Sequence, residues 1–377
     1  MPGFTTMSTF HDGTAFVIGA SGQDGYFLTR SLLAEGNIVH AIVRRPESRS
    51  ALADSSWASP SLHIHEVDVT EPAKLIDLIA QVQPQEVYNL AGQSSVSRSF
   101  SEPRLTWLTN AEFVAVILEA LRLHSPLSRF YQASSTDMFG GAVGSKGVYN
   151  EDSVLNPQSP YASAKAAAHL LCRSYREAYN LRITCGILAN HESHRRGKHF
   201  LTRKIADHVA AIRKGTASAA PLKVGNLKIR RHWGFAPDYV DGIRLVLRQI
   251  AIRAARAEVP HIVSQQADEG HAYRDYTLST DCTYAVWQLI DTAFELVGCS
   301  LHWHLDGPDP VSWHARFRED GRMAVEADRE LLRPTDPLEI YVDASRARQE
   351  LGWSPRNGLE VFLNDMLNGE VGQKNVE

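Results

Sequence analysis

Between Thr14 and Leu188 short apolar runs alternate with longer stretches whose apolar residues recur at helical spacing. This alternation restricts the fold more than any other feature of the chain. The runs are TAFVI at 14–18, IVHAIV at 38–43, residues 62–67, EVYNLA at 86–91, RFYQA at 129–133 and RITCGIL at 182–188. Between them, Phe27, Leu28, Leu32 and Leu33 recur up to a stop at Gly36, and Leu75, Ile76, Leu78, Ile79 and Val82 mark a second helix. Residues 103–123 and 161–179 carry two longer helical patterns. Strands separated by such helices need right-handed crossovers, which build a parallel sheet covered on both faces. The expected fold class is therefore α/β: a doubly wound parallel (Rossmann) sheet with a smaller C-terminal α/β substrate-binding domain. The sheet domain is expected over 11–189, with 233–265 returning to it. Residues 190–232 and 266–370 are expected to form the substrate domain. Within these, helices are expected at 200–213, 238–255, 283–297 and from Leu359, and a polar loop at 256–276.

Composition removes several functional classes. A 377-residue chain with 44% hydrophobic and 22% charged residues is long enough to bury a large core and too apolar to be disordered. A net charge of −4 gives no electrostatic footprint for nucleic acid. No run approaches the roughly 18 apolar residues of a membrane span, and the start MPGFTTMSTFHDG has no signal-peptide pattern. Cys172, Cys185, Cys282 and Cys299 are far apart and contain no CxxC pair, so neither a disulfide framework nor a zinc site is expected. A cytoplasmic location follows as the expectation.

The first strand runs into Gly19-Ala-Ser-Gly22-Gln-Asp-Gly25 and then a helix. In that setting Gly19 permits a tight turn, Gly22 lets a pyrophosphate approach main-chain N–H groups, and Gly25 allows close helix packing. A site for NAD would carry an acid about 20 residues on, against the ribose hydroxyls. This chain has Arg44-Arg45 there, suited to a 2′-phosphate, so NADP is the expected cofactor. Asp68 ends the third strand, placed either to meet the adenine edge or to cap the strand.

Tyr161 and Lys165 are one helical turn apart and share a helix face. An ammonium near the phenol favours phenolate and would lower its pKa, which is what a base for an alcohol proton requires. Ser134-Ser135-Thr136-Asp137 ends the preceding strand and points to the same cleft. Its hydroxyls can bond a sugar alcohol and Asp137 can do acid–base work; the alternative use of such residues is local turn and cap bonding.

The segments GASGQDG, YNLAGQS, YQASSTDMFG, NPQSPYASAK, REAYNLRITCGILANHESHRRGKHFLTRKI and GNLKIRRHWGFAPDYV together resemble the GDP-mannose 4,6-dehydratase family. That family lies within the extended short-chain dehydrogenases/reductases. The likeness covers most of 14–250 and returns at Arg333-Pro-Thr-Asp336 and at 347–355. It implies a lyase: an NADP-dependent sugar-nucleotide 4,6-dehydratase that moves hydride internally from C4 to C6 and expels water. It also implies the cofactor contacts Gly19, Ala20, Ser21, Gly22, Gln23, Asp24, Arg44, Asp68, Val69, Leu90, Ala91, Gly92, Gln93, Ser94, Tyr161, Lys165, His191 and Arg196. Ser94, Asn190, Lys204, Arg231, Arg333 and Asp336 fall in its sugar-nucleotide contacts, and the Arg195-Arg196 loop implies a homo-oligomer, dimer or tetramer. No metal is implied.

The chain departs from the family in places. Ser135-Thr136-Asp137 stands where the family has Thr-Ser-Glu, Ser95 where it has a histidine, and Asp336-Pro337-Leu338 where it has Glu-Val-Asp. Segments 256–276 and 304–330 lack clear counterparts. With a carboxylate one methylene shorter, either the substrate sits differently, or Thr136 helps, or elimination is impaired; an epimerase without dehydration is the alternative, followed by a non-catalytic NADP sensor.

Overall fold

In the computed structural model, which describes residues 13–44, 52, 59–141, 147–216, 220–256 and 270–369, the sequence pattern becomes a crossover sheet. The first residues, Arg45 and most of the expected loop at 256–276 lie outside the described residues. In chain order come β1 (Thr14–Ile18), α1 (Gln23–Ala34), β2 (Ile38–Val43), β3 (Leu62–Glu66), α2 (Ala73–Val82) and β4 (Glu86–Asn89). Then follow α3 (Val96–Ser101), α4 (Pro103–Trp107), α5 (Phe113–His124), β5 (Arg129–Ser135), β6 (Val148–Tyr149), α6 (Pro160–Tyr179) and β7 (Ile183–Leu188). Six of these strands form one parallel sheet in the order β7-β5-β4-β1-β2-β3. The chain winds outward from β1 to β3 and restarts at β4, so the switch point lies between the carboxyl ends of β1 and β4. Ligands of open α/β sheets bind at such points.

Alternation along the strands sorts side chains to two cores. Phe16, Ile18, Val87 and Phe130 face Leu75, Ile79, Ile117 and Leu118 on one side. Val17, Ala41, Tyr88, Tyr131 and Ile187 face Leu28, Leu32, Tyr239 and Ile243 on the other.

The second half continues with β8 (Asn190–Glu192), α7 (Leu201–Arg213), β9 (Leu222–Val224), β10 (Arg230–Phe235), α8 (Ala236–Leu247) and α9 (Gln249–Arg256). After these come β11 (Tyr276–Leu278), β12 (Thr283–Ala285), α10 (Val286–Glu295), β13 (Leu301–His304), β14 (His314–Phe317), β15 (Met323–Ala327), β16 (Tyr341–Val342) and α11 (Leu359–Asn368). Three smaller sheets result, ordered β12-β10-β8, β13-β14-β15-β9 and β16-β6. A separate apolar core joins α7, α10 and α11 through Ile205, Val209, Leu289, Phe294, Phe362 and Leu363.

The structure corrects several expectations. The single helix at 103–123 is broken by a π turn, Leu108–Glu112, and that at 238–255 by Arg248, which bonds Glu86 and Glu35 at 3.0 and 3.1 Å. The helix expected from Thr283 opens as strand β12, where Thr283 and Tyr284 pair with His232 and Arg231. The boundary at 266 is also misplaced. β11 is the seventh strand of the large sheet, parallel to β7, and Val342, Leu351 and Trp353 pack into the α1 core. The Trp353 indole donates to the Asp238 carbonyl at 2.9 Å. A three-residue strand and a lone tryptophan carry no periodic signal. The four cysteines are free, two of them buried. Among the described residues no helix is long and apolar enough to cross a membrane.

Candidate functional site

Gly19 leaves β1 at φ 87°, and its N–H donates to the Ile42 carbonyl at 2.9 Å. A Cβ there would lie 2.7 Å from the Ala91 nitrogen, and one on Gly25 would strike the Gly19 carbonyl. Main chain alone fits between β1 and the Leu90–Gly92 loop. Gly22 is the N-cap of α1 without a side-chain cap, so the first N–H groups of that helix stay open beside Ala20 and Ser21. These are the features a dinucleotide pyrophosphate requires, and the residues present fit it.

Two part-buried straps hold this turn. Asp24 accepts from His191 Nε2 at 2.9 Å, and His191 Nδ1 lies 2.7 Å from the Ala189 oxygen. Gln23 donates to the His191 carbonyl at 3.0 Å and accepts from Ser193 at 2.9 Å. Burial is the largest single influence and would raise Asp24 and lower His191, but the partner's charge and the hydrogen bonds together outweigh it: Asp24 is held below its ordinary value and His191 above. Across the switch point, the Gln93 N–H donates to Asn110 Oδ1 at 2.8 Å, and Asn110 Nδ2 donates to the Gln93 carbonyl at 2.9 Å. Asn110 sits in the π turn, which aims its amide at this loop. Arg44 is exposed at the end of β2, and Val69 is half-buried beyond β3. Asp68 Oδ1 accepts from Thr70 N–H and hydroxyl at 2.9 and 2.7 Å, the strand-capping arrangement.

At the end of β5 the chain turns through Ser135, Thr136 and Asp137, with Ser135 Oγ accepting from the Asp137 N–H at 3.2 Å. Helix α6 starts opposite, capped by Ser159 with Pro160 in its first turn. This buries Tyr161 and Lys165 beside the strand end. The expected effect of Lys165 on the phenol is not what the structure shows. Lys165 Nζ donates to the Ala133 carbonyl at 2.9 Å, and burial pulls its pKa down to about 8. Burial, and next the charge of Asp137, push the Tyr161 phenol well up. The strongest opposing influences are the hydrogen bond with Ser135 and the Arg196 guanidinium.

Outside this turn lies a cleft of about 920 Å³. Ser94, Asp137, Asn190, Lys204, Arg231, Arg333 and Asp336 all line it, drawn from six separate stretches of the chain. Ser135, Thr136, Tyr161 and Lys165 lie buried behind Asp137. Arg231 is buried, pairs with Asp336 at 3.0 Å and donates to the Pro337 carbonyl at 2.9 Å. Arg196 pairs with Glu192 at 3.0 Å and lies over the Phe200 ring, while Arg195 lies 3.8 Å over the Tyr26 ring of the same chain.

Sequence reasoning did not single out Asn110, Arg98, Glu192 or His199, the last three of which line the cleft. Glu192 is buried, which raises its pKa, and accepts from Thr202 at 2.7 Å. Burial lowers His199, as do the nearby charges of Arg196, Arg98 and Lys204. This gathering of cations, at the uncapped start of α7, suits a polyanion. Glu192 stands within the quoted NHES segment and could have been found there; no sequence signal marks the π turn that aims Asn110.

Residues 16–366 match the family model described as GDP-mannose 4,6 dehydratase. A GDP-mannose 4,6-dehydratase of Sinorhizobium fredii is 35% identical over 95% of this chain and 96% of its own length. A human GDP-mannose 4,6 dehydratase is 32% identical over 95% of this chain and 91% of its own. Among solved structures, RMD from Pseudomonas aeruginosa complexed with NADPH superposes with a TM-score of 0.69 at 20% identity, covering 94% and 98% of the two chains. A dTDP-glucose 4,6-dehydratase from Bacillus anthracis with NAD gives 0.70 at 18% identity, covering 96% and 97%. These two likenesses speak for the fold.

Proposed function

The chain belongs to the GDP-mannose 4,6-dehydratase family, a family of hydro-lyases, and from that membership we propose that it converts a GDP-hexose such as GDP-mannose to the 4-keto-6-deoxy derivative with loss of one water. One observation carries this reading: Asp137, in front of buried Tyr161, shares a cleft with Asn190, Lys204, Arg231 and Arg333. Acid–base groups and cations for a diphosphate thus face one volume.

NADP held by the glycine turn would supply the redox chemistry, a hydride acceptor and donor beside the sugar. Tyr161 takes the proton of the 4-hydroxyl, helped by the Ser135 hydroxyl that hydrogen-bonds its oxygen. A ketone at C4 acidifies the C5 proton, and Asp137 removes it. The C6 hydroxyl then leaves as water with the proton that Asp137 took from C5, and C5 regains a proton in exchange for the one Tyr161 took from the 4-hydroxyl; Ser94 and Thr136 are assigned to the sugar side of the site. Lys165, held at the Ala133 carbonyl and near Gly92, is assigned to the cofactor. Gly19 to Gly25, Arg44, Asp68, Val69, Leu90 to Ser94, His191 and Arg196 complete that cofactor set, and Arg44 supports NADP over NAD. Asn190, Lys204, Arg231, Arg333 and Asp336 are assigned to the sugar nucleotide. We place the enzyme in the cytoplasm as a homo-oligomer, on the family's double-arginine loop at Arg195 and Arg196.

The test is the mass of the product after purified protein meets GDP-mannose without added NADPH. A product lighter by one water is expected. No loss of water, with deuterium exchanged into carbon in deuterated solvent, would move the reading to an epimerase.

A further inference from the structure

One face of the four-stranded sheet points away from its core. On β13, His302 and His304 project to the same side, while Trp303 between them packs inward. Across the antiparallel pairs His304 stands opposite His314, and His314 opposite Glu326. Ring centroids are 4.8 Å apart for His302 and His304 and 4.6 Å for His304 and His314. His314 Nδ1 lies 3.1 Å from the Ser312 carbonyl oxygen, so it carries the proton and leaves Nε2 with a lone pair. Metal-bound imidazoles are held in this way by their second nitrogen.

We propose that His302, His304 and His314, with Glu326 as fourth donor, form a site for a divalent transition-metal ion of the zinc type. Imidazole nitrogens at about 2.0–2.1 Å from zinc sit roughly 3.3 Å from one another, within reach of rings already 4.6–4.8 Å apart by rotation about their side-chain bonds. Two cations share the face, and both have other partners. Arg316 donates to the Gly321 carbonyl at 2.9 Å. Lys223, 3.5 Å from Glu326, keeps Asp328 at 3.3 Å when Glu326 turns to a metal.

Other donor clusters of the chain are less suited. His40 Nδ1 and His65 Nε2 are 2.9 Å apart and satisfy each other. Asp275, near His169 and Cys185, has both oxygens taken by Arg176 at 2.7 and 3.0 Å, beside a charge that repels a cation. An ion on the histidine face would tie β13 and β14 to β15. β15 pairs with β9, whose Val224 lines the cleft, and Pro310, between β13 and β14, lines it too.

The experiment is a zinc titration of metal-stripped full-length protein against a chromophoric chelator, with thermal melting in parallel. One zinc per chain is expected, with a higher melting midpoint. His304→Ala and, at an exposed position, His302→Ala should each bind at least tenfold more weakly and lose that rise. Copper(II) at the same site should show hyperfine coupling to more than one imidazole nitrogen. Wild-type protein that takes up no zinc, or variants that bind it as tightly as wild type, would overturn the proposal.

Discussion

Asp137 lies half-buried at the mouth of the cleft, with Ser135 fixing its backbone and Tyr161 behind it. Space on the cleft side allows a longer side chain, so Asp137→Glu is expected to keep or raise the rate of dehydration, because it brings the carboxylate nearer to C5. A tenfold or greater fall in kcat, with an unchanged melting curve, would show that the site is built around the shorter acid. The Asp24–His191 pair gives a second prediction, in pH. Asp24 is lowered from 3.8, so its contribution is present above that value and is lost as pH falls through the folded pKa. His191 is raised from 6.5, so its contribution is full below 6.5 and is lost as pH rises through the folded value. Asp24→Asn should cost roughly 2 kcal/mol near pH 5.5, less than a fully buried pair, and distinctly less at pH 9 in urea denaturation. A gap that does not change with pH would show that the pair is not ionised as described. At this scale the site was legible where chemistry is local, as in the tyrosine–lysine spacing and the glycine turn. The partner of Lys165 was not, because the Ala133 carbonyl is 32 positions away and only the packing of α6 on β5 brings it near.

Helix α1 and its turn show how an element makes a binding surface from main chain. With φ at 87° and the Ala91 nitrogen 2.7 Å from any Cβ, Gly19→Ala strains the turn and separates β1 from the Leu90–Gly92 loop. The strain alone is about 1–3 kcal/mol. NADPH affinity should fall more than tenfold in a fluorescence titration while the sheet still folds; wild-type affinity in the variant would refute the cradle. The large strands and helices could be read because four to seven apolar residues at a fixed period outvote local noise. Elements of two or three residues could not. β8, β9 and β12 are defined by what they pair with, as when Trp233 to Phe235 align with Asn190 to Glu192. The π turn at Leu108–Glu112 adds no residue type that a helix would refuse, so the pattern reads straight through it.

The whole molecule sets the glycine turn at the sheet's switch point against a wall built by the smaller sheets, and the cleft is the space between them. Its two sides are bound together by late segments of the chain. Trp353 wedges against α8, and Asp365 of α11 accepts from the His194 N–H at 2.7 Å, fastening the double-arginine loop. In the proposed reaction, hydride can leave C4 and return to C6 only if one sugar stays in that space throughout. GDP-mannose carrying deuterium at C4 tests it most directly when turned over in ordinary water without added NADPH. Deuterium recovered in the C6 methyl group of a product lighter by one water is the predicted result. A dehydrated product without that deuterium, or deuterium retained at C4, would contradict internal transfer at this site.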